Sequence, residues 1–126
     1  MSSPGANVHF WENPERSGWL QKQGAWLSTW RRRWFVIKEQ HIFWFKSDTV
    51  TQASKPRGVI QISRCLSVKG AEETKNIPNS FEVSVDHKSQ FFVADTNQEK
   101  EDWINAIGRC IVQQSSSMQE EEVLSY

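Results

Sequence analysis

The chain has 126 residues, 37% of them hydrophobic and 24% charged, which suits one domain with a core that needs neither disulfide nor metal. Fifteen basic residues balance fifteen acidic ones at a pI near 6.8, which argues against a wide basic stripe for gripping nucleic acid. The longest apolar runs, Trp34–Ile37 and Ile42–Phe45, span about four residues against the ~20 a helix needs to cross a bilayer.

The neutral total hides a split. Residues 1–60 carry nine Lys or Arg against four acids, and residues 61–126 carry six against eleven. Local field rather than total charge decides which face attracts anions. Cys65 and Cys110 are far apart and lack metal-ligand spacing, so free, buried thiols in a reducing compartment are expected. The first residues, MSSPGANVHFWENPERSG, show no basic stretch followed by an apolar one, so no signal peptide is expected.

Residues 1–9 are polar. Phe10 and Trp11 are too large to leave in water and are expected on the domain's edge, and Asn13-Pro14 turns the chain into a first strand. Short apolar runs punctuated by turn residues predict strands over Gly18–Gln23, Arg31–Lys38, His41–Lys46, Gly58–Ile62 and Cys65–Lys69. Ser47–Arg57 and Gly70–Pro78 read as polar loops. Phe81, Val83 and Val85 alternate with Glu82 and Ser84, a period of two with one wet face. Asp86-His87-Lys88 turns the chain into a seventh strand, Gln90–Ala94. Seven closely spaced strands point to a barrel or sandwich.

The period then changes. Thr96 and Glu99 have capping-box spacing, and Trp103, Ala106, Ile107, Cys110 and Ile111 recur on one helical face. The helix is expected from Asn97 to Gln114, stoppering an open end of the barrel, with Ser115–Ser117 ending it. Trp30, Trp34 and Trp103 are read as core. The organisation is therefore an extension over residues 1–15, ordered in part around Phe10 and Trp11, a domain over 16–114, and an acidic flexible tail over 115–126.

The stretch Ser17–Lys38 carries the chemistry. In a strand alternate residues share a face, so Arg31 and Arg33 project together while Arg32 projects the other way. Lys22, at the end of the neighbouring antiparallel strand, lies near both. Arg suits bidentate phosphate contacts and Lys a point-charge contact. Between them Trp26 and Leu27 occupy the loop tip. A cationic rim beside an apolar tip suits an anionic membrane surface, although folding of Trp26 back over the core remains the alternative. Arg32 is expected to pair with an acid or contact a partner.

Gly18-Trp19-Leu20, Lys22, Gly24, Trp30 to Val36, Pro56 to Ile60 and the late helical Trp103 together resemble a pleckstrin-homology (PH) domain, over about Arg16–Gln114. The chain looks similar to small plant-type proteins made of a single such domain. The resemblance implies a mainly β fold with one helix: a seven-stranded bent barrel, or two near-orthogonal sheets, capped by the C-terminal α-helix. It also implies a phosphoinositide headgroup cradle between strands one and two, at Lys22, Arg31 and Arg33, with Arg57 matching a further phosphate-contacting position of the cytohesin type. The chain departs from that type at Trp26, where a basic residue is usual, at Trp44, where a phosphate-contacting Tyr is usual, and in its short hairpin over Val85–Gln90. Fewer donors point to a lightly phosphorylated lipid, with phosphatidylinositol 3-phosphate first, and to membrane insertion of Trp26 and Leu27. The implied protein is a monomeric adaptor, cytoplasmic and recruited peripherally to endosomal or plasma membrane.

Two rival functions compete with that reading. One is a protein-interaction module with a partner at the helix or acidic tail. The other, nucleic-acid binding, is weakest given the balanced charge. His9, His41 and His87 are scattered, and no nucleophile–base pairing, Gly-rich phosphate loop or HExxH is present. No enzyme activity, cofactor or metal is expected.

Overall fold

The computed structural model describes residues 3–24 and 29–124, with side chains as far as Ser115. Seven strands follow in chain order: β1 Arg16–Gln23, β2 Trp30–Lys38, β3 His41–Phe45, β4 Gly58–Gln61, β5 Cys65–Gly70, β6 Ser80–Val85 and β7 Lys88–Val93. All pair antiparallel in one sheet of order β4-β3-β2-β1-β7-β6-β5. Two-residue turns close two of the hairpins. Glu39-Gln40 joins β2 to β3 and Asp86-His87 joins β6 to β7, each with both residues at positive φ, the backbone twist that matches flanking strands.

The inner face of the bent sheet encloses the main core, built on Leu20, Phe35, Ile37, Ile42, Ile62, Phe81, Val83 and Phe92. The long helix closes it with Trp103, Ala106, Ile107 and Cys110. Two α-helices are present among the described residues, α1 Glu72–Lys75, a single turn within the loop expected over Gly70–Pro78, and α2 Asn97–Leu124, besides one 3-10 turn at Ile62–Arg64. The Thr96 hydroxyl accepts the Glu99 amide at 3.1 Å, one half of the capping box. Both cysteines are free and buried, and burial pushes the Cys65 thiol up to about 11.

Three expectations need correction. The helix does not stop at Ser115–Ser117 but continues to Leu124, so most of the segment read as a flexible tail is helical. Serine is only a few tenths of a kcal/mol (roughly 0.5) worse than alanine inside a helix, and no Gly or Pro follows to end it. Trp30 is half-buried and belongs to neither core cluster. Trp34 packs on the outer face of the sheet instead of in the main core, in a second cluster where Val8, Phe10 and Trp11 of the N-terminal segment cover Val36, Phe43 and Phe45. Alternation is the reason: Phe35 is fully buried on the inner face, so Trp34 and Val36 must face outward.

Candidate functional site

The register of β1 and β2 assembles the site. Leu20 pairs with Arg33 and Lys22 with Arg31. Leu20 and Phe35 are buried in the main core, so Lys22, Arg31 and Arg33 continue the same inner-facing row beyond the core, at the open end of the sheet. The residues expected to act together there share one face. Directly paired residues on neighbouring strands have Cβ atoms about 5 Å apart, and like charges in that position repel. The fold nevertheless places Lys22 opposite Arg31.

Lys22 is half-buried at the floor of this row. Its ammonium donates to Gln90 Oε1 at 2.9 Å and, at 3.4 Å, to the Gln23 carbonyl. It lies 5.4 Å from the ring centre of Trp44 and 5.9 Å from that of Phe92. Burial holds its pKa below the ordinary lysine value, because water that would solvate the charge has been removed. Arg33 donates from Nη1 to the Arg32 carbonyl at 2.9 Å, and among the described residues the rest of its guanidinium fork makes no hydrogen bond. Arg31 is exposed. Among the described residues no carboxylate lies within ion-pair distance of Lys22, Arg31, Arg33 or Arg57. Asp86, the acid of the β6–β7 turn, is taken up by Arg64.

Arg32 goes to the outer face. Its guanidinium donates bidentately to Asp95 at 2.8 and 3.1 Å and stacks 5.0 Å over the Trp19 ring. The Asp95 hydrogen bond pushes the Arg32 pKa up, and the same bond holds the Asp95 carboxyl below its usual range. Arg32 therefore pairs with an acid, as expected.

Arg57 lies just ahead of β4, with its amide donating to the Trp44 carbonyl at 2.7 Å. Trp44 forms a wall of the site. It pairs with Phe35 on one side and Gly58 on the other, and its ring stacks on Phe35 at 5.6 Å. A Cβ at Gly58 would stand 2.0 Å from the indole, so only glycine lets the ring lie there. Trp26 and Leu27 lie outside the described residues.

Two residues near the site escaped the sequence reading. Gln90 carries no charge, but alternation with Phe92, the partner of Lys22, puts it on the inner face. Lys46 directly follows Phe45, the partner of Trp34, and adds an exposed cation at the end of β3. Away from the site, a groove of about 570 Å³ runs between β5 and α2, lined by Val68, Ile104, Gly108, Arg109 and Val112. Among the described residues no helix is long and apolar enough to cross a membrane.

Comparison with known proteins gives consistent results. The family model described as PH domain matches residues 14–112. Pleckstrin homology domain-containing protein 1 of Arabidopsis thaliana is 54% identical over 121 residues, which is 94% of this chain and 83% of that protein. Rho GTPase-activating protein 24 of Homo sapiens is 34% identical over 113 residues, 79% of this chain but only 14% of that much longer protein. Among solved structures, the C-terminal PH domain of pleckstrin in complex with D-myo-Ins(1,2,3,5,6)P5 superposes with a TM-score of 0.65 at 27% identity, over 79% of this chain and 96% of that one.

Proposed function

Since the chain belongs to the PH domain family, a family of non-catalytic modules that bind phosphoinositides or mediate protein interactions, we propose that it is a phosphoinositide-binding adaptor that docks peripherally on membranes. Lys22, Arg31 and Arg33 hold the headgroup phosphates, with Arg57 at the edge. The observation that carries the reading is the Lys22–Arg31 pair: two cations directly opposed, with no carboxylate on either among the described residues. Such a pair is unfavourable alone and favourable around an anion. The likeness to a pleckstrin domain in complex with an inositol pentakisphosphate supports the same ligand chemistry.

The lipid we assign is lightly phosphorylated, with phosphatidylinositol 3-phosphate as the first choice and endosomal membrane as the matching location. Trp44 fills one wall with an indole instead of a phosphate donor, and the two-residue β6–β7 turn adds no long hairpin. Trp26 and Leu27 supply the missing affinity by entering the bilayer, each worth roughly 1.5–3 kcal/mol when buried.

Sedimentation with liposomes carrying each phosphoinositide in turn tests this. The double variant Arg31→Ala, Arg33→Ala should lose about two to four orders of magnitude in affinity, since each charge-assisted contact contributes about 1.5–3 kcal/mol, while its melting temperature stays near that of the parent. Undiminished binding by that folded variant rejects the cradle. Trp26→Ser should weaken liposome binding and spare binding of soluble inositol 1,3-bisphosphate.

A second reading, protein recognition, has one observation in its favour. The β5–α2 groove exposes Val112 at 64%, and Leu66 on the adjoining strand is 56% exposed. Recruitment in cells that survives the arginine double variant and is lost in Val112→Asp assigns function to that groove.

A further inference from the structure

The Lys22 ammonium is the most confined charge of the site, and what confines it is neutral. An ammonium has three protons to donate. One goes to Gln90 Oε1 at 2.9 Å and another, more weakly, to the Gln23 carbonyl at 3.4 Å. The aromatic faces of Trp44 and Phe92 flank it. Lysine is flexible and strongly hydrated, so without a fixed acceptor this side chain would extend into water and away from the row shared with Arg31 and Arg33.

Gln90 is well placed to prevent that. It lies in β7, two residues from Phe92, which pairs with Lys22 across the β1–β7 seam. It is therefore on the inner face with Lys22, although 68 residues separate them in sequence. The chemistry of the amide matters as much as its position. A carboxylate here would form an ion pair and cancel the charge, as Asp95 does for Arg32 on the other face. An aliphatic side chain would leave the ammonium without an acceptor. An uncharged carbonyl oxygen fixes the ammonium and leaves its full charge, and a remaining proton, for an anion.

We propose that Gln90 is the positioning residue of the anion site, an uncharged acceptor that holds the Lys22 ammonium in line with Arg31 and Arg33 so that the three meet one phosphate-bearing headgroup. The assignment rests on the phosphoinositide reading above and adds to it a residue from a third strand.

The test is a double-mutant cycle on the full chain, with soluble inositol 1,3-bisphosphate and phosphatidylinositol 3-phosphate vesicles as probes. Gln90→Leu should weaken headgroup binding about 3- to 10-fold, the range of one hydrogen bond, and lower the salt dependence of binding, because the released Lys22 charge no longer meets the phosphates. Gln90→Glu should weaken it further and flatten the salt dependence. In a Lys22→Ala background Gln90→Leu should have no additional effect, because the two act as one unit. A ligand-free readout accompanies these. Followed by nuclear magnetic resonance, the Lys22 amine should titrate closer to the ordinary lysine value in Gln90→Leu than in the parent, since the released ammonium regains water, and should rise in Gln90→Glu as well, where a carboxylate pairs with the charged form.

The outcomes separate the two claims. If the parent chain binds phosphoinositide and the losses from Lys22→Ala and Gln90→Leu simply add, the function stands and the Gln90 assignment falls. If the parent chain binds no phosphoinositide, both fall, and the titration then reports an internal hydrogen bond only. Coupled losses together with the shifted titration establish the positioning role.

Discussion

Arg31, Arg32 and Arg33 are consecutive and equally charged, yet they end in two unlike settings. Arg31 and Arg33 extend the inner row of the sheet past Leu20 and Phe35, where Lys22 opposes Arg31 and uncharged groups hold Lys22. Arg32, one residue out of phase, is held on the outer face by both oxygens of Asp95 and by the Trp19 ring. Side-chain direction alternates along a strand, so one step of register decides whether a cation is partnered by the fold or left for a ligand. A basic run is thus two features, one paired by the fold and one proposed for binding, and they can be broken separately.

The largest expected effect comes from breaking the support beneath both. Trp103 is 1% exposed; its ring meets Phe35 at 6.5 Å and carries the Arg16 guanidinium at 5.0 Å. Trp103→Ala should destabilise the chain by about 3–5 kcal/mol, a large share of a small domain's stability. Urea unfolding measures it. A loss below about 1 kcal/mol would mean that α2 does not anchor the inner face.

Next comes a change confined to the inner face. Gly58→Ala places a methyl 2.0 Å from a Trp44 ring atom, so the indole must move. Overpacking of this kind destabilises by about 1–3 kcal/mol. It should also shift the near-ultraviolet circular dichroism and reduce headgroup affinity, because Lys22 loses one of its flanking rings. Unchanged headgroup affinity with a displaced indole would remove Trp44 from the site.

Much of this arrangement was legible before any coordinates. Alternation puts Arg31 and Arg33 on one face and Arg32 on the other, the neighbouring antiparallel strand brings the end carrying Lys22 near both, and the period change at Thr96 locates the capping helix. The same alternation, applied to the tryptophans, would have placed Trp30 and Trp34 with Arg32 on the outer side. Bulk alone favours the core for both, and phase overrules it. Gln90 was invisible for a different reason: an uncharged residue gains its role only from a β1–β7 pairing across most of the chain. The outer cluster was half visible, since Phe10 and Trp11 plainly needed cover, but which face they would meet depended on the sheet. The helix runs beyond Gln114 because a run of serines is no stop when nothing following it breaks a helix.

The smallest effect, and the sharpest division between the faces, belongs to the outer pair. Arg32 and Asp95 are each close to half exposed, so water screens them and the pair contributes at most about 0.2–1 kcal/mol. Asp95 titrates below its unfolded value because Arg32 bonds to its charged form. The stabilisation is therefore complete above the unfolded carboxylate pKa and is lost as pH falls through the folded one. Stability of the parent should drop by this increment on acidification from about pH 5 downward, and Asp95→Asn should lack that component. Neither Arg32→Ala nor Asp95→Asn should alter binding of soluble inositol 1,3-bisphosphate at neutral pH by more than about twofold, because the outer guanidinium is already committed to its acid. Soluble headgroup is the right probe, since any basic residue adds about 1 kcal/mol at an anionic vesicle surface whichever way it points. A loss in Arg32→Ala comparable with that in Arg33→Ala would erase the distinction between the faces and extend the site around the edge of β2.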